Sequence, residues 1–432
     1  MAGFLAGPVQ GEAVAGLEVL VRTAVFQSAN ALVGWLLQQA ADRADANYQA
    51  RPGEVCKGRA TLAVQGLFGS FPVARDYYYH AGKKQGHYPA DAALGLEVAY
   101  TPALAKLLVL EGAEEATYLK AEQQLERIGG IQVSARQIQR VVQRVGADAH
   151  AWQAREAQPG PCDAAVLYVS ADGTGVPMVP EELQGRRGQQ ADGSAKTRQA
   201  YLGCVFTQHK TDAQGHPVRD HDATTYVASF QAIDAFGPLL RQEALRRGLG
   251  DATTTVLLID GAAGLENMGK QCFKDSRQIV DYFHALEHAG GVLEALLGKH
   301  HPDYQKRRGQ WAKRLLKNGV KHLIKETREA CAGQPQAAGV TAALGYFERN
   351  VERMQYGTYR KQGWFIGSGV VEAGCKTVIG ARCKQSGMFW SKPGAENILA
   401  LRCLHRSGHL DDFWKHRLNN HAARNDAFTL AA

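Results

Sequence analysis

The chain has 432 residues, of which 45% are hydrophobic and 21% are charged. This composition excludes a disordered chain, and the length favours two or three domains over a single hydrophobic core. The 50 lysines and arginines outnumber the 42 acidic residues and give a net charge of +8. That excess favours a polyanionic partner, most often nucleic acid, although many basic proteins bind none.

The eight cysteines are scattered, and no two of them form a Cys-x-x-Cys pair. Their spacing predicts neither a thiolate zinc ribbon nor a disulfide framework, and it favours a reducing compartment. No run approaches the roughly 18 consecutive apolar residues of a membrane span. The first residues also lack the positive charge that opens a secretory signal. We therefore expect a cytoplasmic protein with no membrane partner.

Residues 1–50 are predicted to form an N-terminal helical region. Between Gly11 and Tyr48 the apolar residues recur at helical spacing, which indicates one amphipathic helix or a broken pair. We interpret this helix as a packing element or a dimer contact.

Residues 51–100 are predicted to form a small β-hairpin module. Short strands are expected at 60–64 and 73–79, joined by a turn rich in glycine and proline. A basic and aromatic tip follows, with Lys83 and Lys84 at its centre. Such a tip can press on DNA phosphates and bases, and a solvated loop fits the same residues equally well.

Residues 101–150 are predicted to be three helices. Thr101 and Pro102 start the first helix, and the second is expected from Glu114 to Ile128, where Gly129-Gly130 stops it. Ser134 and Gln137 form a capping box for the third helix. The outward face of that third helix carries Arg136, Gln139, Arg140, Gln143 and Arg144. The pattern resembles a helix-turn-helix that reads the major groove of DNA, and a basic, solvated helix of a bundle is the alternative.

After a linker at 158–161 the composition becomes typical of strands. Strands are expected at 165–170, 200–207 and 225–228, followed by a helix at 230–247 and a strand that ends on Asp260. Strands in series, followed by a helix that crosses to another strand, predict an α/β sheet.

More than a hundred residues with little strand character follow Asp260. Helices are expected at 278–298, 302–330 and 341–354. The middle helix is strongly basic, and its cations include Arg307, Arg308, Lys313, Arg314 and Lys317. We interpret them as a phosphate track, with a solvated charged face as the alternative.

Three acidic residues stand in settings that suit a metal site. Asp172 and Asp260 each follow an apolar run and precede a glycine, so they lie at the tips of buried strands or in ordinary Asp-Gly turns. Glu372 lies in the opening turn of a helix that follows a Gly-Ser turn. Carboxylate oxygens suit hard divalent cations, and two such ions about 3.5–4 Å apart catalyse in-line phosphoryl transfer.

Five sequence blocks occur in a specific order. They are Ser170-Ala171-Asp172-Gly173-Thr174-Gly175-Val176-Pro177, Leu258-Ile259-Asp260-Gly261, Asp281-Tyr282-Phe283-His284, Gly367-Ser368-Gly369-Val370-Val371-Glu372 and Gly387-Met388-Phe389-Trp390-Ser391. In this combination the chain resembles the DDE transposases of the ISKra4 insertion-sequence family, from about residue 51 to residue 405.

The resemblance implies an α/β fold class. Residues 160–275 and 360–405 would form a ribonuclease-H-like catalytic domain, interrupted by an all-helical insertion at 276–359. The helical and β-hairpin region before it would bind DNA, and residues 406–432 would be a C-terminal tail.

The resemblance also implies a function. Asp172, Asp260 and Glu372 would be the catalytic triad and would bind two Mg²⁺ or Mn²⁺ ions. The substrate would be double-stranded DNA, as the terminal inverted repeats of the insertion sequence and as the target. The enzyme would be associated with the nucleoid and would act as a homodimer or higher oligomer.

Several further residues are expected near this site. Asp281 and His284 match the Asp-x-x-His motif of related transposases, which implies a role beside the DNA or the third carboxylate and no metal ligation. A buried, hydrogen-bonded histidine fits the same pair. Arg382 and Lys384 are expected to contact phosphate. The hairpin lacks the cysteine pairs of a zinc ribbon that relatives often carry, so it is a degenerate version and zinc is not expected there.

Two rival functions remain open at this point. His284, Glu287 and His288 fit the H-x-x-E-H pattern of a zinc metalloprotease, but that function leaves the basic helices and the three acids unexplained. A catalytically silent, DNA-binding repressor derived from a transposase would keep the same sequence features.

Overall fold

The computed structural model describes residues 11–188, 190 and 192–420. The chain forms two compact units. The first comprises Met1–Asp148 and His409–Ala432, and the second comprises Ala149–Gly408.

The first unit begins with the helix α1 (Gly11–Asn47) and a three-stranded antiparallel sheet. The strands are β1 (Glu54–Gly66), β2 (Gly69–His80) and β3 (Gln85–His87), and the short helix α2 (Pro89–Ala93) follows. The predicted hairpin is therefore present, with strands longer than expected. Helix α1 lies close to β2, because a Cβ atom at Gly34 would approach Phe71 to 2.9 Å. Val64, Phe71 and Val73 bury their side chains in this core.

Much of α1 is exposed within this unit. Its most apolar window of 18 residues has a mean hydropathy of 1.2, and only 6% of that window is buried. By length and composition alone the helix could cross a membrane, although it contains no uninterrupted run of about 18 apolar residues. Polar residues such as Gln27, Ser28 and Asn30 interrupt its apolar run. Length and composition alone do not distinguish a span from a helix that packs against protein.

Three longer helices follow in the first unit. They are α3 (Pro102–Glu114), α4 (Tyr118–Gln124), which continues as a π-helical turn (Leu125–Gly129), and α5 (Ala135–Gln153). The predicted caps are confirmed, because the Thr101 side chain accepts a hydrogen bond from the Leu104 N–H and Ser134 and Gln137 bond each other. The second helix starts later than predicted because Thr117 caps it at Tyr118.

The C-terminal segment belongs to the first unit as a helix. Helix α16 (Leu410–Asn419) buries Arg417, whose guanidinium pairs with the buried carboxylate of Glu97 and with Asp148 at 3.1 Å. Residues 410–419 are thus a packed helix, which corrects the expectation of a tail for this part. Residues 421–432 of the predicted tail lie outside the described residues.

The second unit is built on a five-stranded mixed sheet. Its strands are β4 (Val166–Pro177), β5 (Thr197–Gln208), β8 (Thr225–Ser229), β9 (Thr255–Ile259) and β10 (Arg277–Val280), in the order β10-β9-β4-β5-β8. The pairs β10/β9 and β9/β4 are parallel, whereas β4/β5 and β5/β8 are antiparallel. A small hairpin of β6 (Lys210–Thr211) and β7 (Pro217–Val218) leaves the end of β5.

Two helices cover one face of this sheet. Helix α6 (Ile233–Arg246) leads into β9, and α7 (Ala263–Cys272) leads from β9 to β10. Leu167, Val205 and Leu257 from the strands form a buried core with Phe236 of α6 and Met268 of α7. The α/β sheet predicted for this region is therefore confirmed.

Six helices follow β10 in the second unit. They are α8 (Tyr282–Leu297), α9 (Tyr304–Leu315), α10 (Val320–Cys331), α11 (Ala337–Asn350), α12 (Tyr356–Lys361) and α13 (Gly369–Gly374). After α13 come a π-helical segment (Cys375–Gly380), α14 (Ala381–Cys383) and α15 (Lys392–Arg406).

Two predictions for the helical region were wrong in detail. The start of the helix predicted at 278–298 is the edge strand β10, which pairs with β9. The helix predicted at 302–330 is broken, because Asn318 adopts a left-handed conformation with φ of 62° and Gly319 follows it. Arg307, Arg308, Lys313 and Arg314 therefore lie on α9, and Lys317 lies in the turn between α9 and α10.

Candidate active site

Asp172 and Asp260 are brought close together by the pairing of the strands that precede them. Strands β4 and β9 run parallel, with Leu167 opposite Thr255 and Ser170 opposite Leu258. Asp172 and Asp260 each follow the last residue of this β4/β9 pairing by two positions, and Asp260 lies close enough for its charge to raise the pKa of Asp172. Both side chains are half-buried.

The position of Asp172 within its strand differs from the prediction. Strand β4 does not end at Asp172, because its antiparallel pairing with β5 continues to Pro177. Asp172 thus stands in the middle of a long strand, at the point where the pairing with β9 stops, and Asp172-Gly173 is not a turn. Asp260 follows the last residue of β9 as predicted, and one of its carboxylate oxygens accepts the Ala262 N–H at 2.7 Å.

Glu372 is delivered by the short helix α13. The Ser368 hydroxyl donates a hydrogen bond to the Glu372 carboxylate at 3.0 Å. The helix packs tightly on the sheet, because a Cβ atom at Gly374 would approach Leu202 to 2.7 Å and Tyr226 to 2.9 Å. Leu202 is the partner of Asp172 in the β4/β5 pairing, so this close packing sets α13 over the strand that carries Asp172.

Asp281 joins the start of α8 to the loop before α13. It is fully buried and caps α8 by accepting the His284 N–H at 2.7 Å. Its second oxygen accepts the Ser368 N–H, and His284 Nδ1 lies 3.2 Å from its first oxygen. Burial raises the pKa of Asp281, but the hydrogen bonds from His284 and Ser368 outweigh that effect and leave the pKa lowered. The predicted Asp-x-x-His pair is therefore a structural junction beside Glu372.

These side chains surround one cavity of about 510 Å³, which we call the carboxylate cavity. Its lining consists of Asp172, Phe283, His284, Glu287, Gly369 and Glu372. Asp260 does not line it directly. The Tyr346 hydroxyl donates a hydrogen bond to the Asp260 carbonyl at 2.7 Å and so fixes the backbone at that point. The structure thus brings Asp172 and Glu372 to one cavity and places Asp260 beside Asp172.

The electrostatics of the cavity follow from this crowding. Burial raises the pKa of Asp172, the Gly173 N–H lowers it, and the negative charge of Asp260 raises it again. The hydrogen bond to Asp281 raises the pKa of His284 to about 9 against the opposing effect of burial, and Glu287 and Asp260 add to the rise. At neutral pH His284 is therefore an imidazolium among carboxylates.

Two sets of side chains compete as possible metal ligands. The ligand atoms of Asp281, His284 and Glu372 lie within 4.8 Å of one another. In this group the Asp281 oxygens already accept hydrogen bonds from the His284 and Ser368 N–H groups. Asp172, Asp260 and Glu372 present carboxylate oxygens, the ligands that Mg²⁺ and Mn²⁺ prefer. Among the described residues, however, the ligand atoms of these three acids do not form a group within 4.8 Å of one another, so only their chemical type, and not their spacing, fits a divalent cation.

The two predicted phosphate contacts after Glu372 differ in accessibility. Arg382 is 1% exposed and lies over the Trp390 ring at 5.0 Å, so the expectation of a phosphate contact was wrong for this residue. Lys384 is exposed and contacts the Thr174 hydroxyl, two residues beyond Asp172 in the same strand. It remains placed to meet a phosphate.

The structure adds residues that the sequence pattern did not single out for this site. The Cys375 thiol lies 3.7 Å from the second oxygen of Asp172, and burial raises the pKa of Cys375 to about 12, so the thiol stays protonated. The Ser368 hydroxyl donates a hydrogen bond to Glu372, and Glu287 is a third acid in the cavity lining. Cys375 lies three residues after Glu372, a helical spacing that could have revealed it.

The predicted DNA-binding residues of the first unit fall into two groups. Arg136, Gln139, Arg140, Lys83 and Lys84 are exposed. Arg144 instead pairs with the buried carboxylate of Glu97 at 2.7 Å, and Gln143 bonds the Tyr118 hydroxyl at 3.4 Å. The expectation of a free outward face was wrong for these two residues, because tertiary contacts occupy them.

The predicted basic track of the second unit is also divided. Arg307, Lys313 and Lys317 are exposed, and Arg308 is half-buried. Arg314 pairs with Glu326 of the next helix, so its charge is partly neutralised.

The geometry does not favour the zinc protease. The His288 ring is stacked on Tyr346 with a centroid distance of 3.6 Å. Within the described part of the chain, the group of converging ligand atoms contains His284 but not His288.

Comparisons with known proteins add little. Models of protein families give no match, and curated proteins give none. Among solved structures, the chain is similar to the Drosophila P element transposase strand transfer complex with a TM-score of 0.24 and 11% identity, over 76% of this chain and 83% of that one. At that TM-score the similarity says nothing about the chemistry of this chain.

Proposed function

We propose that the second unit is the catalytic domain of a DNA transposase that cleaves and joins DNA at the ends of an insertion sequence by a metal-dependent DDE mechanism. The observation that carries this proposal is that Asp172 and Asp260 lie on neighbouring parallel strands, two residues beyond the last positions at which these strands pair. Glu372 lines the same cavity as Asp172. Two carboxylates that line one cavity, with a third at the end of the neighbouring strand, suit metal-dependent phosphoryl transfer.

The fold supports a ribonuclease-H-like assignment. Strands β4, β5 and β8 form an antiparallel half of the sheet. Strands β9 and β10 extend it in parallel on the other side of β4. This is the arrangement expected for such a sheet. Helices α8 to α12 occupy the interval between β10 and α13, as expected for an all-helical insertion before the third acid.

Asp172, Asp260 and Glu372 are the residues that would hold the two ions. Bound Mg²⁺ or Mn²⁺ supplies Lewis-acid activation of the attacking and leaving oxygens of a phosphodiester. The surrounding residues orient the ligands: the Gly173 N–H and the Cys375 thiol contact Asp172, and the Ser368 hydroxyl contacts Glu372.

His284 suits the binding of a phosphate. It is an imidazolium at neutral pH and lines the carboxylate cavity. Since Nδ1 faces Asp281, Nε2 is the nitrogen left to donate a hydrogen bond to a phosphate oxygen. Its positive charge also offsets the repulsion among the neighbouring acids.

Double-stranded DNA is the proposed partner. The net charge of +8 and the exposed cations of both units, among them Arg136, Arg140, Arg307 and Lys313, favour a polyanion. Joining two DNA ends requires them to be held together, so we propose that the protein acts as a dimer or a higher oligomer.

A nicking assay tests the proposal. The full chain is incubated with duplexes that carry the DNA flanking its own coding sequence on both sides, with Mg²⁺, with Mn²⁺ or with a chelator. We expect strand cleavage at a fixed position with either metal and none with the chelator. Binding without cleavage in either metal would instead identify a silent DNA-binding protein.

A further inference from the structure

A larger cavity lies beside the carboxylate cavity in the second unit, and we call it the basic cavity. Its volume is about 740 Å³, and it shares Phe283 and Gly369 with the lining of the carboxylate cavity. Phe283 therefore stands on the wall between the two cavities. This side chain is 60% exposed, which is unusual for a phenylalanine with no partner surface.

The basic cavity has the charge of an anion site. Lys317, Arg360 and Lys361 line it and are exposed. No carboxylate lines it among the residues that the structure describes, and no ion pair between described residues includes any of these three cations. The adjacent carboxylate cavity has the opposite charge, so the two cavities suit different parts of a ligand.

The basic cavity also offers aromatic surface. Trp364 and Phe365 line it together with Phe283. Trp364 is held parallel to Tyr359 with the ring centroids 6.0 Å apart, and Phe365 packs edge-on against Tyr168 at 5.4 Å. Two of the three aromatic rings are thus fixed by neighbours, and flat, fixed rings are the surfaces on which nucleobases stack.

We propose that the basic cavity binds an unpaired nucleotide of the DNA strand next to the phosphodiester held at the carboxylates. Its phosphate meets Lys317, Arg360 and Lys361, and its base stacks on Phe283 or Trp364. The proposal rests on the proposed function, which places a scissile phosphodiester in the neighbouring cavity.

Two considerations favour a nucleotide that is unpaired. A base within a duplex is stacked on both faces, so it must leave the helix before it can meet an aromatic side chain. The volume of the basic cavity also lies in the range of roughly 300–1,000 Å³ typical of small-ligand pockets, whereas a duplex is far too wide to enter.

Binding of two labelled probes tests the proposal without any cleavage. The full chain is titrated, without divalent metal, against a blunt duplex and against the same duplex with a short single-stranded end. We expect about tenfold tighter binding of the tailed duplex, the size of effect that one stacked base produces. Phe283→Ala and the double variant Arg360→Ala/Lys361→Ala should remove this preference and leave the affinity for the blunt duplex unchanged.

Two control variants match these changes outside the cavity. Phe389 is also an exposed aromatic residue, at 53%, and Lys306 is an exposed lysine of α9; neither lines the basic cavity. Phe389→Ala and Lys306→Ala should keep the tenfold preference. A 5-iodouracil in the single-stranded end should crosslink to the peptide that contains Phe283 or Trp364.

The outcomes separate this proposal from the function on which it rests. A preference that survives in Phe283→Ala and in the double variant overturns it, and so does an equal loss of affinity for both probes. Binding of free thymidine monophosphate at these residues, with no preference for the tailed duplex, would assign the cavity to a free nucleotide and also overturn it. The preference should persist in Asp172→Asn, so a chain that keeps the preference but never nicks DNA contradicts the proposed function alone.

Discussion

At the scale of single residues, the carboxylates are held by neighbours of specific type. Asp172 accepts a backbone N–H and faces a protonated thiol, while Glu372 accepts a serine hydroxyl. These contacts fix the acidic side chains before any cation binds. They also give the site a set of positioning residues whose loss should reduce catalysis and leave folding intact.

Ser368→Ala should slow DNA nicking about tenfold. The substitution removes the hydrogen bond that orients Glu372, and one hydrogen bond to a charged group contributes about 1.5 kcal/mol or more, which is roughly a tenfold change in rate. Single-turnover nicking rates measure the effect at saturating protein. Thr377→Ala removes a different hydroxyl, which bonds the Ala373 carbonyl, and serves as the matched control. Equal rates in both variants would contradict a positioning role for Ser368.

The pairing of His209 with Asp220 predicts a pH dependence of stability. The hydrogen bond to Asp220 raises the pKa of His209 above its usual range, with a further contribution from Asp163. Because the folded-state pKa is the higher one, the stabilisation is complete below the unfolded pKa of about 6.5 and is lost as pH rises through the folded value. The melting temperature of wild type should therefore fall more between pH 6 and pH 8 than that of His209→Gln. Parallel pH profiles for the two proteins would exclude this contribution.

At the scale of elements, the site depends on how closely α13 lies on the sheet. Gly374 permits that approach, because any side chain there would meet Leu202 and Tyr226. The helix is short, and Glu372 lies only two residues before this contact. A displacement of α13 therefore moves the third acid directly.

Gly374→Ala should destabilise the protein by about 1–3 kcal/mol, the usual cost of overpacking, and should lower nicking further by displacing Glu372. Gly339→Ala is the matched control, since a Cβ atom at Gly339 of α11 has nothing within 4 Å. That change should stabilise the helix by about 0.5–1 kcal/mol and leave nicking unchanged. Urea denaturation and nicking rates measure both effects. Full activity in Gly374→Ala would show that the close packing is not required.

The sequence predicts the elements better than it predicts their ends and contacts. The caps at Thr101 and Ser134 could be predicted, because capping is local. The extension of β4 beyond Asp172 could not, because it depends on pairing with β5, and glycines at 173 and 175 are typical of a turn. The break at Asn318-Gly319 carried a local signal that the charge pattern obscured.

The sequence pattern indicates the three acids of the candidate site, whose joint role stays a prediction, but it does not indicate their surroundings. Apolar runs that end on Asp172 and Asp260 indicate buried strands with exposed ends. The burial of Arg382 and the pairing of Arg144 with Glu97 depend on long-range contacts that periodicity does not report.

At the scale of the whole molecule, each unit has its own structural core and its own exposed cations. Helix α16 belongs to the first unit, although in the chain it comes after the residues of the second unit. The buried pair of Arg417 and Glu97 therefore ties the end of the described chain to the first unit.

Arg417→Ala should destabilise the first unit by about 1.5–3 kcal/mol, because it removes one of the two cations that pair with the buried carboxylate of Glu97, while Arg144 remains. Lys106→Ala removes a more exposed ion pair with Asp411 of the same helix and should cost at most about 1 kcal/mol. Urea denaturation, with hydrogen exchange of residues 410–419, measures the two changes. Similar small losses in both variants would show that α16 is not held by the buried pair.

The central claim is that Asp172, Asp260 and Glu372 act as one metal-binding catalytic set. The most direct measurement is Mn²⁺-dependent nicking of the flanking DNA by Asp172→Asn, Asp260→Asn and Glu372→Gln, with DNA binding measured in parallel. Asp275→Asn, which changes an exposed carboxylate away from the site, is the control. We expect each of the three variants to lose at least about 100-fold in nicking rate, since metal catalysis contributes several kcal/mol, while DNA affinity stays unchanged. Nicking at the wild-type rate in any one of the three would contradict the claim.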